Sequence, residues 1–238
     1  MGRQPKDFGF GEEEAMVQAN AKKFFADNCP IEKIHSQVAG RGPGELDTQD
    51  FWDEKLWEEM VEMGWPAINI PESNGGVGMP LCAAVGLVEE IGRAAVPSPL
   101  ISTLCASFVL KNCYSSAASD ALGEISKGRS MALAITNKNG SWEPSHTDAV
   151  IENGKLYGAS YFVQEAKKSK TLIVSARSKS GVGLYAVDVS NSQIEIKTDL
   201  IVDLTRDQAH VDFNGANCTE IATEIEGEAV LTQSFPSI

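Results

Sequence analysis

The strongest constraint in this sequence is a change of pattern between Lys127 and Ser130. Before it, apolar residues recur at steps of three and four. After it, short β-branched and aromatic runs alternate with turn residues. The first pattern belongs to helices and the second to strands. Helices first and strands afterwards point to an α+β fold. The sequence therefore predicts an all-helical N-terminal domain over 1–128 and a small antiparallel, β-barrel-like domain over 129–225. Residues 226–238, with Ala229, Val230 and Leu231, read as the start of a helical continuation.

Within the first part, Glu12-Glu13-Glu14 opens a helix to about Asn28, because acids suit the positive end of a helix dipole. Residues 31–43 give no clear pattern, and Ala39 to Gly44 read as a loop. An N-cap is expected within Asp47 to Asp50. The stripe Trp52, Leu56, Met60 and Met63 then marks a helix with core-facing side chains, stopped by Gly64. Trp65 to Pro71 is expected to be extended, since two prolines fall so close together. Gly75-Gly76-Val77-Gly78 reads as a tight turn, because it lacks the lysine and spacing of a phosphate loop. Leu81 to Ala95 is apolar on most sides, which predicts a buried helix at the centre of the helical layer. Two more helices follow, over Leu100 to Cys113 and Ala117 to Ser126. Glu89 and Glu90 point about 100° apart on a helix, so they read as one surface residue and one interhelical partner.

In the second part, strands are expected at Met131 to Thr136, Ala149 to Ile151, Leu156 to Gln164 and Thr171 to Arg177. Three more follow, at Val182 to Asp188, Ile194 to Lys197 and Ala209 to Phe213. Asn153-Gly154 is a hairpin signal, since both residues accept positive φ.

At 238 residues the chain has room for two modest domains, at about 100–200 residues each. With 33 acids against 20 bases, the net charge of −13 argues against a nucleic-acid surface. Lys167, Lys168 and Lys170 form a small basic run, which reads as a solvated loop before it reads as a phosphate contact. The cysteines are five, an odd number, without C-x-x-C spacing, which suits a reducing compartment. A cytoplasmic location is expected, or the mitochondrial matrix in a eukaryote. No metal site, signal peptide or membrane span is expected from the residues present.

Several stretches then line up in order: Gly64-Trp65, Pro71-Glu72-x-x-Gly75-Gly76-x-Gly78, and Glu89-Glu90-Ile91-Gly92. Ala134-Ile135-Thr136, Gly158 to Val163, Leu172 to Arg177, and Leu204-Thr205-Arg206 with Ala209-x-Val211-x-Phe213 complete the series. It resembles the acyl-CoA dehydrogenase family over roughly Glu12 to Ala222. The resemblance implies a helical domain, a β domain and a C-terminal helical domain, of which this chain carries the first two. It also implies FAD and the 2,3-oxidation of an acyl-CoA thioester, with hydride passing to the flavin. Electron-transfer flavoprotein or a similar acceptor, and a homo- or hetero-oligomer, are implied as partners.

The family's catalytic base lies in the C-terminal part, so the resemblance assigns no catalytic residue here. Its flavin loop of the form Leu-Thr-Glu-Pro…Gly-Ser-Asp is matched at Ile135, Thr136, Gly140 and Ser141, while Asn137, Lys138 and Trp142 depart from it. Its Trp/Phe-Ile/Val-Thr segment is matched by Phe162 and Val163, with Gln164 in place of the threonine. The resemblance thus implies cofactor contact at Ile135, Thr136, Ser141, Phe162 and Gln164. It implies substrate contact at Gly140, Ser141 and Trp142. The substituted loop leaves a second expectation open: a non-catalytic partner subunit of a heteromeric dehydrogenase that has lost flavin binding.

Overall fold

The structure, a computed structural model, describes residues 10–39 and 52–238. Among the described residues six α-helices come first: α1 (Glu12–Asn28), α2 (Ile31–Val38), α3 (Glu54–Glu62), α4 (Leu81–Arg93), α5 (Leu100–Leu110) and α6 (Ser116–Ser126). Strands follow: β1 (Met131–Ala134), β2 (Val150–Glu152), β3 (Lys155–Gln164), β4 (Thr171–Arg177), β5 (Val182–Asp188), β6 (Ile194–Thr198), β7 (Gln208–Asn217) and β8 (Thr219–Ala222). A helix α7 (Gly227–Ser234) ends the described chain with a 3-10 turn at Phe235–Ser237.

The acids at the head of α1 do local work. Glu14 Oε2 accepts from Gly11 N at 2.8 Å, satisfying one of the unpaired amides of the first turn. α1 packs on α4 through a close approach at Gly86, where a Cβ would sit 3.2 Å from the Phe10 ring and 3.3 Å from Gln18 Cβ. Glu89 and Glu90 divide as expected. Glu90 is buried, accepts from Gln18 on α1 at 3.2 Å and pairs with Arg93 at 3.0 Å, while Glu89 is exposed.

Four expectations change. The predicted cap at Asp47 to Asp50 lies outside the described residues, as does most of the Ala39 to Gly44 loop. The cap of α3 is Asp53, whose Oδ1 accepts from Lys55 N at 3.1 Å and Leu56 N at 3.3 Å. Trp65–Ala67 forms a 3-10 turn, not an extended segment. A proline is tolerated at the first positions of a helical turn, because its missing N–H would have no partner there. α4 is only half buried, with Val85 58% and Leu81 42% exposed. The central helix is α5, in which Leu100, Thr103, Leu104, Ala106, Ser107, Val109 and Leu110 are all buried. The segment at 31–43, patternless in sequence, contains α2.

The strands form one sheet in the order β6-β7-β3-β2-β4-β5-β8, with β1 alongside β4. Pairing is antiparallel except where β1 and β2 meet β4. The sheet does not close into a barrel, and β6 and β8 are its ends. Asn153 and Gly154 turn the β2–β3 hairpin with φ of 51° and 74°. Helices and sheet share a core in which Val109, Leu110 and Ile125 meet Met131, Ile173, Leu184 and Ile221. The tie between α5 and β1 is also polar. Thr103 Oγ1 donates to Met131 O at 3.3 Å and accepts from Met131 N at 3.1 Å.

Candidate functional site

Where β1 and β3 leave the sheet beneath α5 lies a narrow hollow of about 110 Å³. α5 supplies Ile101, Ser102 and Cys105. β1 and its exit supply Leu133, Ile135 and Thr136. Phe162 and Gln164 of β3, Trp142, Arg206 and Ile238 complete the lining. Five residues singled out from the sequence thus meet at one place: Ile135, Thr136, Trp142, Phe162 and Gln164. Gly140 and Ser141 do not line it. Gly140 stands at its edge, where a Cβ would be 4.0 Å from the Phe162 ring. Ser141 is engaged elsewhere, its Oγ 3.3 Å from His146 Nδ1 and accepting from Glu143 N at 3.2 Å. Two larger grooves, of about 460 and 480 Å³, lie at the helices around Trp65 and Trp57 and contain none of these residues.

The loop after β1 is closed on itself by Asn137. Its buried Oδ1 accepts from Asn139 N and Ser141 N, both at 2.9 Å, and its Nδ2 donates to His146 O at 3.1 Å. Gly140 N bonds Asn137 O, and Lys138 N bonds Asp148 Oδ2, each at 2.9 Å. The asparagine that departs from the family's glutamate is therefore a turn-former of the kind short polar side chains make. These amides are already committed within the protein. Thr136 differs: its side chain is buried at the hollow, and its hydroxyl makes no hydrogen bond among the described residues.

The β3 side is built differently. Phe162 sits at φ 55° inside a bulge between Ser160 and Val163. A positive φ is costly for a bulky residue, of order 1–3 kcal/mol, and persists only where the surroundings hold it. Val163 beside it is buried, while the Phe162 ring is 42% exposed at the rim of the hollow. Gln164 Nε2 donates to Gln208 Oε1 at 2.7 Å, so its amide is braced against β7. Trp142 leans edge-on against Phe235 at 6.2 Å between ring centres.

Behind this rim is an ionic cluster that the sequence did not reveal. Glu165 is fully buried at φ 55° and receives two cations: Lys168 Nζ on Oε2 at 2.5 Å and Arg206 Nε on Oε1 at 3.0 Å. Burial pushes the Glu165 carboxyl up, and Lys168 and Arg206 pull against that push. Asp207, also buried and raised by burial, accepts from Lys167 N at 3.1 Å, and its Oδ1 has no partner among the described residues. The Lys167 to Lys170 run is therefore not a uniformly solvated loop. Lys167 and Lys170 are exposed, but Lys168 is locked inside. Arg206 belongs to the Leu204-Thr205-Arg206 motif, the signal from which its place at the site was there to be read. The inward face of α5 offered no comparable signal. Cys105 in the lining is pushed up to about 11 by burial, against the pull of Arg206, so it is a protonated thiol at neutral pH. Among the described residues no group of three or more His, Cys, Asp or Glu could hold a metal. No helix there is long and apolar enough to cross a membrane.

Residues 11–128 match the family described as acyl-CoA dehydrogenase, N-terminal domain. The chain belongs to the acyl-CoA dehydrogenase family. It is 39% identical over 85 residues to acyl-CoA dehydrogenase IpdE2 of Mycobacterium tuberculosis, covering 35% of this chain and 26% of that protein. It is 32% identical over 108 residues to IpdE2 of Mycolicibacterium smegmatis, covering 45% of this chain and 33% of that protein. Among solved structures, a Tcur3481–Tcur3483 steroid acyl-CoA dehydrogenase superposes with a TM-score of 0.77 at 22% identity, over 96% of this chain and 62% of that one. An FAD complex of PigA superposes with a TM-score of 0.75 at 17% identity, over 94% and 61%. The alignments thus take in a quarter to a third of the curated relatives, and this chain spans about three-fifths of the structures.

Proposed function

We propose that this chain forms the helical and β portion of a flavin-dependent acyl-CoA dehydrogenase, oxidising an acyl-CoA thioester between its α and β carbons. The observation that carries this reading is the meeting of Ile135, Thr136, Phe162 and Gln164 at one hollow, with the Thr136 hydroxyl uncommitted. FAD, when bound, supplies the hydride acceptor. An enclosed ligand site measures about 300–1,000 Å³. At about 110 Å³ this hollow is one wall of such a site, not a full enclosure for a three-ring flavin. Phe162 and Ile135 would give the apolar face and Thr136 a fixed donor, which is the positioning a protein contributes to a cofactor. The lining holds no carboxylate, and Glu165 behind it is held by two cations. The proton-removing base of this reading is therefore none of the residues that line the hollow.

Asn137 supports a second reading, that of a flavin-free partner subunit, because it commits the amides of the loop to the protein itself. The two-component name of the Tcur3481–Tcur3483 relative supports a hetero-oligomer under either reading. Flavin content of the purified full-length protein separates them. Under the first reading it carries FAD, and Thr136→Val and Phe162→Ala each lower FAD affinity by about tenfold, the worth of one good contact of ~1.4 kcal/mol. A colourless protein that co-purifies with a flavin-bearing homologue establishes the second.

A further inference from the structure

The Arg206 guanidinium has more donors than the protein uses. Its Nε meets Glu165 Oε1 at 3.0 Å, and its terminal nitrogens make no hydrogen bond among the described residues. The side chain is 29% exposed and lines the hollow. Glu165 is shared with Lys168, so one carboxylate faces two cations. Asp207, the other acid of the cluster, is turned to the Lys167 amide. The rest of the lining carries no charged side chain, with Ile101 and Cys105 from α5 and Leu133 from β1 among its apolar members. Cationic donors left over at an apolar hollow are matched by a ligand that carries its own acceptor oxygens.

Size narrows the ligand further. A liquid water molecule occupies about 30 Å³, so the hollow takes on the order of four groups of that size. That is room for a terminal carboxylate and the few carbons before it, with the flavin of the reading above and the rest of the thioester outside the hollow. Resting on the acyl-CoA reading above, we infer that Arg206 is a specificity-determining residue for acyl groups ending in a carboxylate. The planar guanidinium offers two parallel N–H donors, the geometry that a carboxylate accepts from bidentately. Glu165 stands 3.0 Å from Nε as an ion pair, and Lys168 holds the other oxygen of the same carboxylate, so the guanidinium is kept at the hollow by charge. Arg206 binds and orients and does not exchange protons.

The test is calorimetric titration of the full-length protein, with whatever companion chain it purifies with, against glutaryl-CoA and pentanoyl-CoA. The two acyl chains have equal length and differ in the terminal carboxylate. Unmodified protein should bind glutaryl-CoA at least about tenfold more tightly, the scale of one charge-assisted contact. R206Q should erase that preference, so that the two thioesters bind within about twofold of each other whatever their common affinity becomes. R206K, which keeps the charge but not the fork, should retain part of the preference. Equal binding of the two thioesters by the unmodified protein overturns the inference without any variant having to fold. So does a preference that survives in R206Q. Binding of neither thioester removes the acyl-CoA reading itself, and the inference with it.

Discussion

The two strand ends that flank the hollow handle their polar groups in opposite ways. After β1, the Asn137 loop satisfies the backbone amides of residues 137–141 from partners within about ten residues. After β3, Glu165 draws its partners from Lys168 and from Arg206, some forty residues on, at the cost of two non-glycine residues with positive φ. The first arrangement is local and of low dielectric stress. The second buries charge, and buried charge holds only while every member stays in place. The side of the hollow that carries Arg206 is thus the one whose stability hangs on few contacts.

The comparison can be broken first at Glu165. Glu165→Ala leaves Lys168 buried without its carboxylate and should cost about 3–5 kcal/mol, read as a lower denaturation midpoint in urea. Pairing it with Lys168→Met should recover much of that loss, because the uncompensated charge is gone. A loss below about 1 kcal/mol for the single variant would mean that the cluster is not ionic in the folded protein.

How far the sequence reached follows the same division. Asn153-Gly154 and Gly64 were legible because their φ values are demanded by residues next to them. The 3-10 turn at Trp65–Ala67 was not, since a proline excluded from helix interiors is welcome at a helix start. β8 was missed because four residues, two of them exposed, take strand form only through their partner β5. The lysine run suggested solvent because the acid that buries Lys168 comes from the end of a strand, where no charge pattern flags it. The candidate residues on β1 and β3 were found through the order of family motifs, and periodicity alone would have left them as core and turn. Arg206 was quoted in that order but carried no role, since its meaning depends on a contact across the sheet.

The self-contained loop gives the next largest effect. Asn137→Ala removes three hydrogen bonds and strands two amides, and should cost about 2 kcal/mol in urea unfolding while raising proteolysis within 137–148. Asn137→Asp keeps the accepting oxygen and should cost less. If both variants lose equally, the side-chain acceptor is not what orders the loop.

The smallest effect is expected at Asp188, at the end of β5. Its carboxyl is held below the usual range by the Ser190 hydroxyl and amide, and by Arg129 with which it pairs. A depressed native pKa gives stability that is present above the unfolded value and lost as pH falls through the native one. Asp188→Asn should therefore lower Tm slightly at neutral pH, and the gap should close on acidification. A gap that persists below the native pKa would assign the effect to packing. The pair is half exposed, so its contribution stays within the range of surface ion pairs, about 0–1 kcal/mol.

The Thr103 hydroxyl, which both gives to and takes from Met131, makes a rivet between one rod and one ribbon. Sliding either along the other would break both halves of that rivet at once. The spacing of α5 and β1 near Leu133 is therefore held by a side chain that meets both the amide and the carbonyl of one strand residue. The width of the hollow there is left to the side chains of Ile101 and Leu133, which face it from the rod and from the ribbon.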